Sequence, residues 1–187
     1  MKMRFLFSVL LCAMLAFSSS VLADTDESSP IEYRVFVGVQ PAVTAEPFDN
    51  QNVIDVNVIP LLIECALRDN LGIRLNPIFN LRCGDGVNGA IAQIGINTIV
   101  PFYFQARTEE QPYRGLYGGP NVASTYSVAD QAFALTLAGE IGYAFVMSPR
   151  MMLNVALQAG ATFFWDQAGS RTWPHNGFFV NFGYWIR

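Results

Sequence analysis

The sequence predicts an all-β protein, a single eight-stranded antiparallel up-and-down transmembrane β-barrel. Three observations point there: an export signal at the start, period-two alternation in eight later segments, and a greasy, charge-poor composition. Of 187 residues, 52% are hydrophobic and only 14% are charged. A soluble domain usually carries about 25% charged residues, so an ordinary cytosolic globule is excluded. The net charge of −4 argues against nucleic acid as a partner, and the high hydrophobicity argues against intrinsic disorder.

Residues 1–23 read as a secretory signal peptide. Lys2 and Arg4 form the basic region, Phe5 to Phe17 the apolar run, and Val21-Leu22-Ala23 the cleavage site. The apolar run is short for a spanning helix, which needs about 20 residues. Cleavage after Ala23 removes two of the 11 basic residues, leaving nine arginines, no lysine and 15 acids, and moves the net charge from −4 to −6. Residues 24–30 (DTDESSP) form an acidic lead-in, and 31–187 the barrel.

From there the period is two. In 31–39, Ile31, Tyr33, Val35, Val37 and Val39 alternate with Glu32, Arg34 and Gly38. Segment 53–67 places Asp55 and Asn57 on one face. Its parity switches after Pro60, as a β-bulge would cause, and Glu64 joins the polar face opposite Arg74, across a tight turn at 68–70. In 73–81, Ile73, Leu75, Pro77, Phe79 and Leu81 oppose Arg74, Asn76 and Asn80. In 90–104, Ala92, Ile94, Ile96, Val100, Phe102 and Phe104 share the apolar face, with Gln93 and Asn97 opposite. Segment 113–123 is Gly-rich and the faintest of the eight. In 133–145, Phe133, Leu135, Leu137, Ile141, Tyr143 and Phe145 oppose Thr136, Ala138 and Glu140. In 151–165, Leu153, Val155, Leu157, Phe163 and Trp165 oppose Asn154, Gln158 and Gly160. The last segment sets Phe178, Val180, Phe182, Tyr184 and Ile186 against Phe179, Asn181, Gly183 and Trp185. Tight turns are expected at 68–70 and 147–150, a medium link at 105–112, and long polar loops at 44–52, 82–89, 124–130 and 166–177.

A soluble β-sandwich also alternates, but it puts charge on its outer face. Here the polar face is mostly Asn, Gln, Gly, Ala and Thr, which suits a narrow lumen, and the bulky face suits lipid. Strands cross hydrocarbon only as closed barrels, because every backbone polar group must be paired internally. Aromatic residues near segment ends (Tyr33, Phe102 to Phe104, Tyr113, Tyr117, Phe163 to Trp165, Tyr184 and Trp185) read as interfacial girdles.

The signal segment, the eight alternating segments, ECALRDNLGIRLNPIFNLR, GLYGGPNVA and the final GFFVNFGYWIR together resemble the small eight-stranded bacterial outer-membrane β-barrels (the outer membrane protein β-barrel domain, OmpA/OmpX/OmpW-like superfamily). The resemblance covers roughly residues 31–187 and implies a monomer in the outer-membrane bilayer. It implies insertion by the barrel-assembly machinery, both termini and the tight turns in the periplasm, and the longer loops outside. One departure is the ending Tyr184-Trp185-Ile186-Arg187, where such barrels commonly finish on an aromatic residue.

Chemistry is sparse. The single histidine, His175, falls in the predicted last loop near Asp166, Ser170 and Thr172, which reads as solvated loop composition rather than a nucleophile with its base. One histidine and no Cys/His cluster make no transition-metal site, and no cofactor motif is present. Cys65 and Cys83 fall at opposite ends of one hairpin, too far apart for a disulfide. The informative set faces the lumen: Glu32, Arg34, Asp55, Glu64, Arg74, Glu140, Asn154 and Gln158. It reads first as a plug stabilising a structural or surface-interaction barrel, next as a narrow conduit for small or hydrophobic solutes gated at Glu140. A lipid-modifying enzyme is the third reading.

Overall fold

Residues 35–41, 43–45, 53–84, 87–108, 112–128 and 131–186 are described in a computed structural model. The signal segment, the lead-in, Glu32 and Arg34 lie outside them. Alternation becomes strand throughout: β1 (Val35–Val39), β2 (Val43–Ala45), β3 (Val53–Asn57), β4 (Leu61–Ala66), β5 (Gly72–Gly84), β6 (Val87–Ile99), β7 (Phe102–Gln105), β8 (Arg114–Ser127), β9 (Ala132–Val146), β10 (Met151–Asp166) and β11 (Gly169–Ile186). Three staves are interrupted, so β1 with β2, β3 with β4, and β6 with β7 each form one wall element. The eleven strands thus make a closed eight-stranded antiparallel barrel. The seam is the β1–β11 ladder, from Val35 opposite Ile186 to Val39 opposite Phe182.

The interruptions explain where proline is tolerated in the wall. The expected break at Pro60 exists, since β3 ends at Asn57 and β4 begins at Leu61. Pro77 turns its carbonyl, and with it the side lacking an N–H, toward that break, where Asn57 Nδ2 donates to Pro77 O at 3.4 Å. Pro120 does the same at the β6–β7 break, accepting from Val100 N at 3.1 Å. A strand proline forfeits a ladder hydrogen bond, and both prolines face a break in the neighbouring stave.

Pro174 follows the same rule at the seam. Trp185 N donates to Arg150 O at 2.8 Å, so odd residues of β11 bond to β10 and even residues point toward β1. Among the described residues no strand pairs with β11 above Phe182 on that side. The N–H and C=O groups of Asn176, Phe178 and Val180 therefore have no strand partner on that side among the described residues, and Pro174 has no N–H to offer there. Amide hydrogen exchange should register this parity, with Phe178 and Val180 exchanging faster than Phe179 and Asn181. Equal protection of all four would show that the even residues are paired on the β1 side as well.

Cross-strand rows order the exterior. Ile141, Leu157 and Phe178 form one row and are 54%, 57% and 65% exposed. Val155, Val180, Phe182, Tyr184, Tyr143 and Phe145 continue this apolar surface toward the base, defined here as the end with the tight turns 67–71 and 147–150.

Segment 113–123, faint in the sequence, is strand as expected and extends over Arg114–Ser127. The expected long loops 82–89, 124–130 and 166–177 are mostly strand: β5 and β6 are separated only by residues 85–86, and β10 pairs with β11 up to Asp166 opposite Gly169. Above the barrel both faces of a hairpin meet water, so the alternation fades and polar strand reads as loop. Cross-strand contacts hold this hairpin, including Phe164 edge-on to Trp173 at 5.8 Å. Ala168 N donates to Asp166 Oδ1 at 2.7 Å and Arg171 pairs with Asp166. The Ala168 N–H, with Arg171, holds the Asp166 carboxyl below its usual pKa. Ala92 does not face outward, because the β5–β6 register shifts between Asn80 and Leu81, making Ala92 a buried bulge.

Candidate functional site: a charged layer in the barrel lumen

Inward positions on neighbouring strands converge on Arg74. The hairpin register places Glu64 opposite Arg74, as the parity switch at Pro60 anticipates. Arg74 Nε donates to Glu64 Oε2 at 2.8 Å. From the far wall, Glu140 Oε1 accepts from Arg74 Nη1 at 3.0 Å. Two tyrosines complete the layer. Tyr103 OH accepts from Arg74 Nη2 at 3.2 Å and donates to Glu64 Oε1 at 2.8 Å. Tyr117 OH accepts from Arg74 Nη1 at 3.2 Å and donates to Glu140 Oε1 at 3.0 Å. The guanidinium also lies 5.1 Å from the Tyr117 ring centroid. Arg74 and Glu64 are fully buried and Glu140 is 4% exposed, so these contacts act in a medium far less polar than water.

Space for the layer is built by glycine. Tyr117 stands opposite Gly142 on β9, and a Cβ there would lie 2.6 Å from Tyr117 Cζ. At the seam, Gly38 faces Gly183, and the Phe36 ring covers both; a Cβ on either would meet it within 2.8 Å.

Below the ions lies an aromatic floor. Tyr113 stacks on Tyr103 with centroids 4.3 Å apart and meets Trp185 edge-on at 5.4 Å, and Phe36 packs on Trp185 at 5.5 Å. Met152 and Leu62 join this buried cluster. Tyr113 OH donates to Leu71 O at 2.5 Å and to Arg68 O, tying the floor to the tight turn. Arg107, 5.4 Å from the Tyr113 ring centroid, closes the base beside Asp69. Tyr103, Tyr113, Tyr117 and Trp185 are therefore lumen residues, not the interfacial girdle expected of them. The parity signal existed, since Tyr103 opposes Phe102 and Phe104, and Tyr117 shares its face with Asn121.

Above the ions the lumen is lined by uncharged polar groups. Gln158 Nε2 donates to Glu140 Oε2 at 2.5 Å, and Gln158 Oε1 lies 3.2 Å from His175 Nε2. Asn80 bonds to Gln93 at 3.3 Å, and Thr136 to Thr162 at 2.8 Å. On the base side of Gln158, Asn154 faces Ala144 and Asn181, and both asparagines are fully or almost fully buried.

Of the eight lumen residues anticipated from sequence, Glu64, Arg74, Glu140 and Gln158 meet in one network, and Asn154 is buried nearby without joining it. Asp55 stands opposite Arg82 in register; its side chain, like Glu32 and Arg34, lies outside the described part. His175 is not a loop residue, because it is paired into β11 opposite Gly160 and contacts Gln158. Asp166 is engaged by Arg171, so Asp166, Ser170 and His175 do not form a nucleophile–base array. Cys65 and Cys83 are free, facing Ile73 and Ile54 near opposite ends of β5. Among the described residues no group of three or more His, Cys, Asp or Glu is placed to hold a metal ion. A groove of about 810 Å³ beside Ile141, Leu157 and Phe178 lies along outward-facing rows, where Gly139 and Ala159 leave little bulk.

No protein-family model and no curated protein matches the sequence. Among solved structures, the chain is similar to the outer membrane protein OprG from Pseudomonas aeruginosa. The two are 16% identical, the match covers 82% of this chain and 94% of that chain, and the TM-score is 0.45.

Proposed function

We propose that this chain is an integral outer-membrane β-barrel with a structural or surface-interaction role, exported with residues 1–23 removed and inserted as a monomer by the barrel-assembly machinery. The observation that carries this reading is a lumen locked by Arg74 between Glu64 and Glu140, inside a wall whose exterior is apolar. The tight turns would face the periplasm. The 166–169 hairpin, with Trp165, Trp173 and Arg171, would be the surface offered to partners outside.

The conduit reading requires solute to pass a guanidinium held by two carboxylates and two phenols, over an aromatic floor. Planar-bilayer recording of the refolded protein tests the choice. We expect no conductance above the lipid background, in the wild type and in Glu140→Gln alike. A steady conductance lost in Glu140→Gln would replace the structural reading with a gated channel.

A further inference from the structure

Among the described residues the charged layer does not balance. Two carboxylates, Glu64 and Glu140, share the single guanidinium of Arg74, and all three are buried. Tyrosine and glutamine donors spread the excess negative charge without cancelling it. An uncompensated charge in such a place is expensive.

Directly above, the lumen holds amide groups with no partner among the described residues. Both polar side-chain atoms of Asn121 and the Oδ1 of Asn97 are buried and unbonded; Asn121 is 2% exposed and Asn97 7%. These residues are consecutive inward neighbours of Glu140. Asn121 faces Ala138, one inward step along β9 from Glu140. Asn97 faces Ala123, one inward step along β8 from Asn121. Each of these two diagonal steps is about 7–8 Å, so Asn121 stands between Asn97 and Glu140 and the three inward side chains line one stretch of lumen. Buried water would satisfy the amides and leave the charge standing.

We propose that Asn97 Oδ1, Asn121 Oδ1 and the Glu140 carboxylate form a site for one small monovalent cation of the sodium or potassium kind. Hard oxygen donors suit such an ion, and one positive charge neutralises the layer. Access is from the upper lumen, lined by Thr136, Gln93 and His175, because the aromatic floor closes the base. The site would make the barrel's stability depend on the identity of the salt cation rather than on ionic strength.

The test uses the full refolded protein in detergent. Its thermal unfolding midpoint is compared in sodium, potassium and N-methylglucammonium chloride at equal ionic strength. The midpoint should rise in sodium or potassium relative to the bulky organic cation. Glu140→Gln, which leaves Arg74 balanced by Glu64 alone, should abolish the difference. Should that variant fail to fold, Asn121→Leu keeps the ion layer intact and should shrink the difference. Identical wild-type midpoints in all three salts would overturn the proposal, as would a cation dependence that both variants retain in full.

Discussion

Replacing Arg74 with methionine lowers the unfolding free energy of the refolded barrel by about 3–5 kcal/mol, the usual cost of stranding a buried charge by removing its partner. Here two carboxylates lose their common partner, and the Tyr103 and Tyr117 hydroxyls each lose a donor. The triple change Arg74→Met, Glu64→Gln, Glu140→Gln should recover much of that loss, because it removes every formal charge from the layer while keeping its volume. Urea titrations of refolded protein, followed by tryptophan fluorescence, check both. If the single variant were as stable as the wild type, the layer would be solvated and the lumen open to water.

The second large effect is expected on the opposite face of the same strands. Leu157→Arg, at the middle of the outward row Ile141–Leu157–Phe178, should destabilise the folded barrel in a bilayer by about 2–4 kcal/mol. An arginine at Ser170, near the tip of the β10–β11 hairpin, should cost almost nothing. Equal, small effects at both positions would place Leu157 in water and remove the basis for a membrane wall. The two substitutions lie on one hairpin and differ chiefly in depth.

Much of the wall was legible because a barrel imposes two surroundings on alternate residues. Parity alone put Glu64, Arg74, Glu140, Asn154 and Gln158 inside, and the switch at Pro60 with the turn at 68–70 was enough to pair Glu64 with Arg74. The contact from Arg74 to Glu140 was not legible, since it crosses the lumen between residues 66 apart in sequence and exists only once the barrel closes. The tyrosines were misplaced for a physical reason: a phenol suits the bilayer interface and a polar lumen equally well, so residue type could not decide where strict attention to parity would have. The upper hairpins read as loops because alternation marks a boundary between two media, and above the barrel both faces of a hairpin meet the same one. The upper edge of β11, unpaired among the described residues, leaves a faint trace in Pro174, whose meaning depends on which edge its nitrogen faces.

In the proposed membrane barrel, odd residues of β10 face lipid while even residues line the lumen. Nitroxide scanning along residues 152–163 of protein reconstituted in lipid vesicles, with Cys65 and Cys83 first replaced by serine, tests it most directly. Oxygen accessibility should alternate with period two, high at Leu153, Val155 and Leu157 and low at Asn154, Ala156 and Gln158. A flat profile, or maxima at the even positions, would contradict it.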